Sequence, residues 1–177
     1  RRLPLWKRPL LRWLASWYTV MLVVDRTEGR EIDQAFRDGL IAHMERFRMT
    51  GYDLEVRDPV YVPLHIQLEA CLRRGADGSA VHRELSERLG PGSAGLFHPG
   101  NLTFGQRIYG SRIIAEAMQV SGIDHARLVM LKRFREPAGK ELEDGYLEVS
   151  GLELPRLAND PSQPERGKIE FILKGGF

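Results

Sequence analysis

"YVPLHIQLEACLR", Tyr61 to Arg73, governs how the rest of the chain is read. Val62, Leu64, Ile66, Leu68, Ala70 and Leu72 alternate with Tyr61, Pro63, His65, Gln67, Glu69 and Cys71. A period of two places each set on its own face of a β-strand. One face is then apolar and buried, while the other is wet or paired. Pro63 has no backbone N–H to give to a ladder, which predicts an edge position or a bulge there.

Working outward, "WYTVMLVVDR" (Trp17 to Arg26) is β-branched and aromatic and predicts a buried strand. Between Glu31 and Arg48, Ile32, Phe36, Leu40, Met44 and Phe47 recur at helical spacing, and Gly51 sits where a left-handed cap would stop the helix. "YDLEVRDP" (Tyr52 to Pro59) predicts a shorter strand. Asp77 to Leu89 predicts a second helix, with Val81, Leu85 and Leu89 on one stripe and Asp77 or Ser79 as N-cap. Ile108 to Val120 predicts a third helix, with Tyr109, Ile113, Ala117 and Val120 sharing a face. "ARLVMLKRF" (Ala126 to Phe134), "YLEVS" (Tyr146 to Ser150) and "KIEFILK" (Lys168 to Lys174) predict further strands. "EPAGKELEDG" and "NDPSQPERG" read as a polar loop and a proline-rich turn. The expected fold is α+β: a mostly antiparallel sheet with about three helices packed on it and a split β-α-β, ferredoxin-like character. The expected division is an arm at 1–16, a domain at 17–136 and a C-terminal β extension at 137–177 packed on that domain.

The chain has 177 residues, 42% of them hydrophobic and 28% charged, which suits one soluble domain, or one compact domain with a tail. A net charge of +2 is too small to imply a nucleic-acid partner. Its distribution is uneven. Residues 1–16 hold five basic residues and no acidic one, so the arm is +5 and the remainder −3. The same arm, "RRLPLWKRPLLRWLAS", is rich in leucine and tryptophan, and Pro4 and Pro9 deny it one continuous helix. An arm this apolar and basic needs a surface, either on its own chain or on a partner. Cys71 is the lone cysteine, which excludes an intrachain disulfide and a cysteine zinc site. No apolar run approaches the ~20 residues that span a bilayer. The chain starts at Arg1 without a methionine, from which a piece of a longer polypeptide is expected.

One stretch raises a catalytic question. "FGQRIYGSRI" (Phe104 to Ile113) holds Gly105, four residues, Gly110, Ser111 and Arg112. A phosphate-cradling loop uses that glycine spacing, but it needs lysine where this chain has Ser111. The intervening residues are bulky, and "HPGNLT" before them is turn-like rather than a strand. The glycines then read as devices that turn the chain into a helix, with a nucleotide-binding enzyme on Gly105–Arg112 as the alternative. The five histidines are scattered without metal-site spacing, Ser111 lacks a nucleophile-elbow context, and no catalytic, cofactor or metal constellation emerges. A second alternative is a membrane- or nucleic-acid-binding module that works through residues 1–16.

Four runs carry a family resemblance: "SWYTVMLVVDR" with "ERFRMTGYDLEV", "YVPLHIQLEACLR", "LFHPGNLTFGQRIYGSRIIAEAMQVSGI" and "GLELPRLANDPSQPERGKIEFILKGG". From Ser16 onward the chain resembles the C-terminal part of the baseplate assembly proteins of contractile phage tails and injection systems, the J-like wedge proteins. "HPGNLTFGQ" (His98 to Gln106) and "NDPSQPERG" (Asn159 to Gly167) are its most specific runs. The resemblance implies a structural, non-enzymatic wedge component without cofactors. Its implied partners are itself, other wedge subunits and tail hub or sheath-proximal proteins, with no nucleic acid and no membrane. It further implies assembly in the bacterial cytoplasm into a virion or phage-tail-like particle. Trp6, Leu10, Trp13, His98, Asn101 and Gln106 are the expected partner-interface residues.

Overall fold

A computed structural model describes residues 18–25 and 32–176. The chain forms two compact units, residues 1–59 and 60–177. This division falls inside the expected 17–136 domain, because the strands near the C-terminus pair with the strand that opens the second unit.

In the first unit, β1 (Tyr18–Val23) and β2 (Tyr52–Arg57) are parallel neighbours in register from Tyr18 opposite Tyr52 to Val23 opposite Arg57. The connection holds α1 (Gln34–Met44) and a single 3-10 turn at Glu45–Phe47. Parallel neighbours need such a crossover. Asp33 caps α1 by accepting from the Phe36 N–H at 2.7 Å. Arg37 ties the helix to the strand, donating to the Val56 carbonyl at 3.0 Å and pairing with Asp58 at 2.6 Å. β1 was expected to be buried, yet Tyr18 is 61% exposed, and Val20 and Met21 are exposed as well.

The second unit is organised by β3 (Val60–Leu72). After it come α2 (Gly78–Leu89), the two-residue strand β4 (Ile108–Tyr109), α3 (Gly110–Ala117) and β5 (Ile123–Arg133). The one-turn helix α4 (Glu141–Asp144), β6 (Tyr146–Leu147), β7 (Glu153–Arg156) and β8 (Lys168–Gly175) complete it. β5 lies antiparallel along one side of β3. On the other side, β7 pairs parallel with Val60–Pro63 and β8 pairs parallel with His65–Leu72. The chain is therefore α+β, as expected, but its sheet is mixed. The mostly antiparallel, ferredoxin-like split expected from the element order is not what the register shows: β8 runs parallel to β3 as its immediate neighbour, with no strand between them.

β3 is central despite Pro63. The proline stands where one partner strand hands over to the next, so its missing N–H interrupts no ladder. Gly167 makes the hand-over possible. Its φ is 98°, and a Cβ there would lie 2.5 Å from the Arg156 carbonyl and 3.0 Å from the Leu64 nitrogen. The run "NDPSQPERG" is the device that carries the chain from β7 to β8. Within it, Asn159 accepts from the Ile169 N–H at 3.1 Å and Asp160 from the Ser162 N–H at 2.8 Å.

The predicted alternation holds. Leu64, Ile66, Leu68 and Ala70 are fully buried in one core cluster with Val81, Leu85 and Leu89 of α2 and Ile113 and Ala117 of α3. Truncation of Leu68 to alanine is expected to cost about 2–5 kcal/mol by urea unfolding, from lost transfer energy and an unfilled cavity. Gln67→Ala on the opposite face removes one hydrogen bond to Glu170, and is expected to cost only about 0.5–1.5 kcal/mol.

That opposite face is a lattice of charges. Glu69, 8% exposed, is held between Arg127 at 2.8 Å and Lys174 at 2.6 Å. These two cations keep its carboxyl ionised down to a pKa of about 2. At the rim of the other face, where the register sets Arg133 opposite Leu64 and Glu153 opposite Val60, Arg133 grips Glu153 with two nitrogens, at 2.9 and 2.7 Å, and likewise holds that carboxyl at about 2. The pKa of His65 is lowered as well, which for an imidazole favours the neutral form: burial is the main cause, Lys168 adds to it and Glu170 opposes it. The two carboxylates bind protons more weakly folded than unfolded, so the stability they supply is complete above their ordinary 4.5 and is lost as pH falls towards 2. The unfolded chain protonates His65 near 6.5 before the folded one does, so stability also falls as pH drops below that value. Unfolding free energy measured against pH should decline in these two stages. His65→Leu should flatten the upper stage and leave the lower one in place.

Candidate functional site

The residues singled out from the sequence gather on the segment between α2 and α3. His98 Nδ1 accepts from the Gly100 N–H at 3.1 Å and caps the 3-10 turn Pro99–Asn101. Asn101 donates to the Gly95 carbonyl at 3.0 Å, and Gln106 accepts from the Thr103 N–H at 2.9 Å. All three side chains brace their own loop. Trp6, Leu10 and Trp13 lie outside the described residues.

The two glycines of "FGQRIYGSRI" act on the backbone. Gly105 has φ 67°, and a Cβ on it would lie 3.0 Å from Gly151 Cα. Its N–H donates to the Glu153 carbonyl at 3.0 Å, which anchors the loop to β7. Gly110 opens α3 and donates to the Gly145 carbonyl at 2.9 Å, while a Cβ there would press on Leu128 at 2.8 Å. Between them, Ile108 and Tyr109 form β4, paired antiparallel with Leu147 and Tyr146. A phosphate loop wraps the anion with consecutive backbone amides before a helix. Here the amides of Gly105, Gln106 and Gly110 donate to the carbonyls of Glu153, Thr103 and Gly145, and Ile108 and Tyr109 lie in the β4–β6 ladder, so these amides are not turned together towards an anion.

The same geometry corrects the third helix. Ile108 and Tyr109 were expected inside this helix, with Tyr109 on its shared face, but α3 begins at Gly110, and Tyr109 stands 49% exposed. Its ring lies 5.9 Å from that of Tyr146, over which the Arg107 guanidinium sits at 4.9 Å. Arg107 also pairs with Glu148 at 3.0 Å.

Beside this ridge is a cleft of about 530 Å³. Leu96, Phe97, Leu102, Ile108 and Ile113 give it an apolar lining, and Gln106, Arg107, Tyr109, Arg112 and Glu148 supply the polar groups. Arg112 makes no ion pair with any described residue, whereas Arg107 is already neutralised by Glu148. A second cleft of about 530 Å³ on the other side of Tyr109 is lined by Ser111, Ile114, Leu142 and Tyr146, among others. Chemically, the first cleft can take an apolar side chain and give an adjacent carboxylate one unneutralised guanidinium. Sequence reading picked out Gln106, took Arg107, Tyr109 and Arg112 only as part of the Gly105–Arg112 stretch, and missed Glu148. Glu148 comes to the site from 41 residues away in the chain, through the β4–β6 pairing.

Among the described residues, no group of three His, Cys, Asp or Glu is placed to hold a metal ion, and no helix is long and apolar enough to cross a membrane. In comparisons with known proteins, no family model matches the chain and no curated protein matches it.

Gly105→Ala should lower stability by about 1–3 kcal/mol, since alanine is strained at positive φ and meets Gly151 backbone besides. Urea unfolding of the variant checks this.

Proposed function

We propose that this chain is a structural assembly domain of a baseplate wedge in a contractile phage tail or related injection particle, assembled in the bacterial cytoplasm. The sequence runs that resemble that family motivate the reading. The observation that carries it is how those runs spend their polar side chains. His98, Asn101, Gln106, Asn159 and Asp160 each bond to backbone within or beside their own run. Residues used in this way specify the shape of a surface and hold no reactive group free for a substrate. A shaped surface is what a docking component needs.

On this reading, the cleft beside Tyr109 receives a neighbouring wedge subunit that presents an apolar side chain flanked by a carboxylate. Arg112 is the charge that selects it, and the exposed Tyr109 is an aromatic anchor of the kind that dominates interfaces.

Co-expression with the wedge, hub and sheath-proximal proteins of a contractile tail from the same source, followed by light scattering of the purified material, tests the proposal. A complex of defined stoichiometry is expected. Arg112→Glu should weaken it about tenfold, equivalent to about 1.4 kcal/mol, without a change in thermal stability. A chain that stays monomeric and binds none of those proteins would overturn the reading.

A further inference from the structure

In the second unit, β5 and β8 carry the two long edges of the sheet, and these edges are built differently. β5 meets β3 through two register shifts, which leave Asp124 and Val129 without an opposite residue. Such bulges twist an edge and spoil it as a template for another strand. β8 has none. Lys168 to Gly175 pair with His65 to Leu72 residue by residue without a shift, and the strand holds no proline. Lysine is another usual guard of an edge. Here Lys168 is held by Glu170, and Lys174 by Glu69 at 2.6 Å, so neither presents an unneutralised charge.

The outward backbone groups of β8 can be named. In a strand, the N–H and C=O of one residue point to the same side, and successive residues alternate. Ile169 gives its N–H to the Asn159 side chain at 3.1 Å, so it faces away from β3. Phe171, Leu173 and Gly175 face the same way. Among the described residues of the second unit, no group accepts from the Phe171 or Leu173 N–H. The side chains of Ile169, Phe171 and Leu173 lie towards the core, while Lys168, Glu170, Ile172 and Lys174 lie on the polar face, where Ile172 is 38% exposed.

The side chains of β8 decide which strand fits there. A two-fold axis sets an edge strand antiparallel to its own copy, and hydrogen bonds form only where outward-facing residues stand opposite each other. Centred on Ile172, this register sets Ile172 against the partner's Ile172, Glu170 against the partner's Lys174 and Phe171 against the partner's Leu173. Each of these pairs is apolar with apolar or acid with base. A register centred on Glu170 opposes two carboxylates, and one centred on Phe171 opposes Lys168 and Lys174. One centred on Leu173 sets Ile172 against Lys174. Like charges directly opposite are destabilising, whereas opposite charges and matched apolar pairs stabilise a sheet. The side chains of Glu170 and Lys174 remain 40% and 54% exposed, so each has room for a second partner. The charge lattice of the polar face then continues from Glu69 through Lys174 into the other copy.

We propose that β8 pairs antiparallel with β8 of a second copy of this chain, about a two-fold axis at Ile172, so that two sheets become one. Phe171 and Leu173 supply the backbone hydrogen bonds of the new ladder. The proposal stands on the edge of β8 and does not rest on the wedge reading, because none of these residues lines the cleft beside Tyr109.

Residue-resolved hydrogen exchange of the full chain tests this without any substitution. The Phe171 and Leu173 amides should be protected where light scattering gives a dimer and should lose protection on dilution to the monomer, while the Leu68 amide stays protected in both. Ile172→Lys opposes two like charges at the axis and should weaken the dimer about tenfold. The same variant should leave the thermal stability of the monomer unchanged. In a Cys71→Ala background, Ile172→Cys should give several-fold more disulfide-linked dimer in a glutathione buffer than Lys168→Cys. The reason is that a non-hydrogen-bonded pair brings opposed Cα atoms to about 4.5 Å, within reach of a disulfide. A chain that stays monomeric at millimolar concentration would overturn the proposal. Phe171 and Leu173 amides protected at every dilution would assign the edge to cover by the same chain, which also overturns it. A dimer that leaves those amides exchanging freely, or that withstands Ile172→Lys, forms through another surface and equally sinks the idea.

Discussion

The second unit depends on the burial of one face of β3. Leu64, Ile66, Leu68 and Ala70 are removed from water together, and each partner of β3 is placed by the need to keep them so. α2 and α3 cover that face. β5 and β8 satisfy the backbone groups that burial would otherwise leave unpaired, since buried N–H and C=O groups must find partners. The other face of the strand then has to be polar, and its charges are paired across strands: Glu69 with Arg127 and Lys174, and Gln67 with Glu170. A one-residue slip of register would exchange these two faces, so the two patterns reinforce a single register.

Around this sheet, the irregular segments are closely specified. The loop after α2 is braced by His98, Asn101 and Gln106, and the loop into β8 by Asn159 and Gly167. The first of these segments supplies much of the wall of the cleft beside Tyr109. The first unit stands in contrast. Its helix buries no residue fully, and its strand exposes side chains that a stable sheet would cover.

Much of the second unit was legible in the sequence. The alternation from Val62 to Leu72, the stripe Val81–Leu85–Leu89 and the Asp77 cap all lie where local pattern put them, because each reports a local backbone geometry and one buried side. The roles of Gly105 and Gly110 were legible too, since only backbone constraint explains both glycines. Tyr109 was not. Its spacing fits a helix, and what draws it into a strand is the pairing with Tyr146, a partner with no local signature. β7 was missed for the same reason: four residues, one of them proline, become a strand only beside β3.

The sequence by itself determined the α+β class, the buried face of β3, the helix faces and the imbalance between a basic arm and a mildly acidic remainder. Each of these is a property of neighbouring residues and their periodicity. The tertiary structure alone decided that β3 is central, that its outer neighbours run parallel to it, and that Arg107, Tyr109, Arg112 and Glu148 meet at one cleft. Strand order and convergence are set by contacts between residues tens of positions apart, whose free energies depend on shared burial and leave no periodic trace in either segment alone.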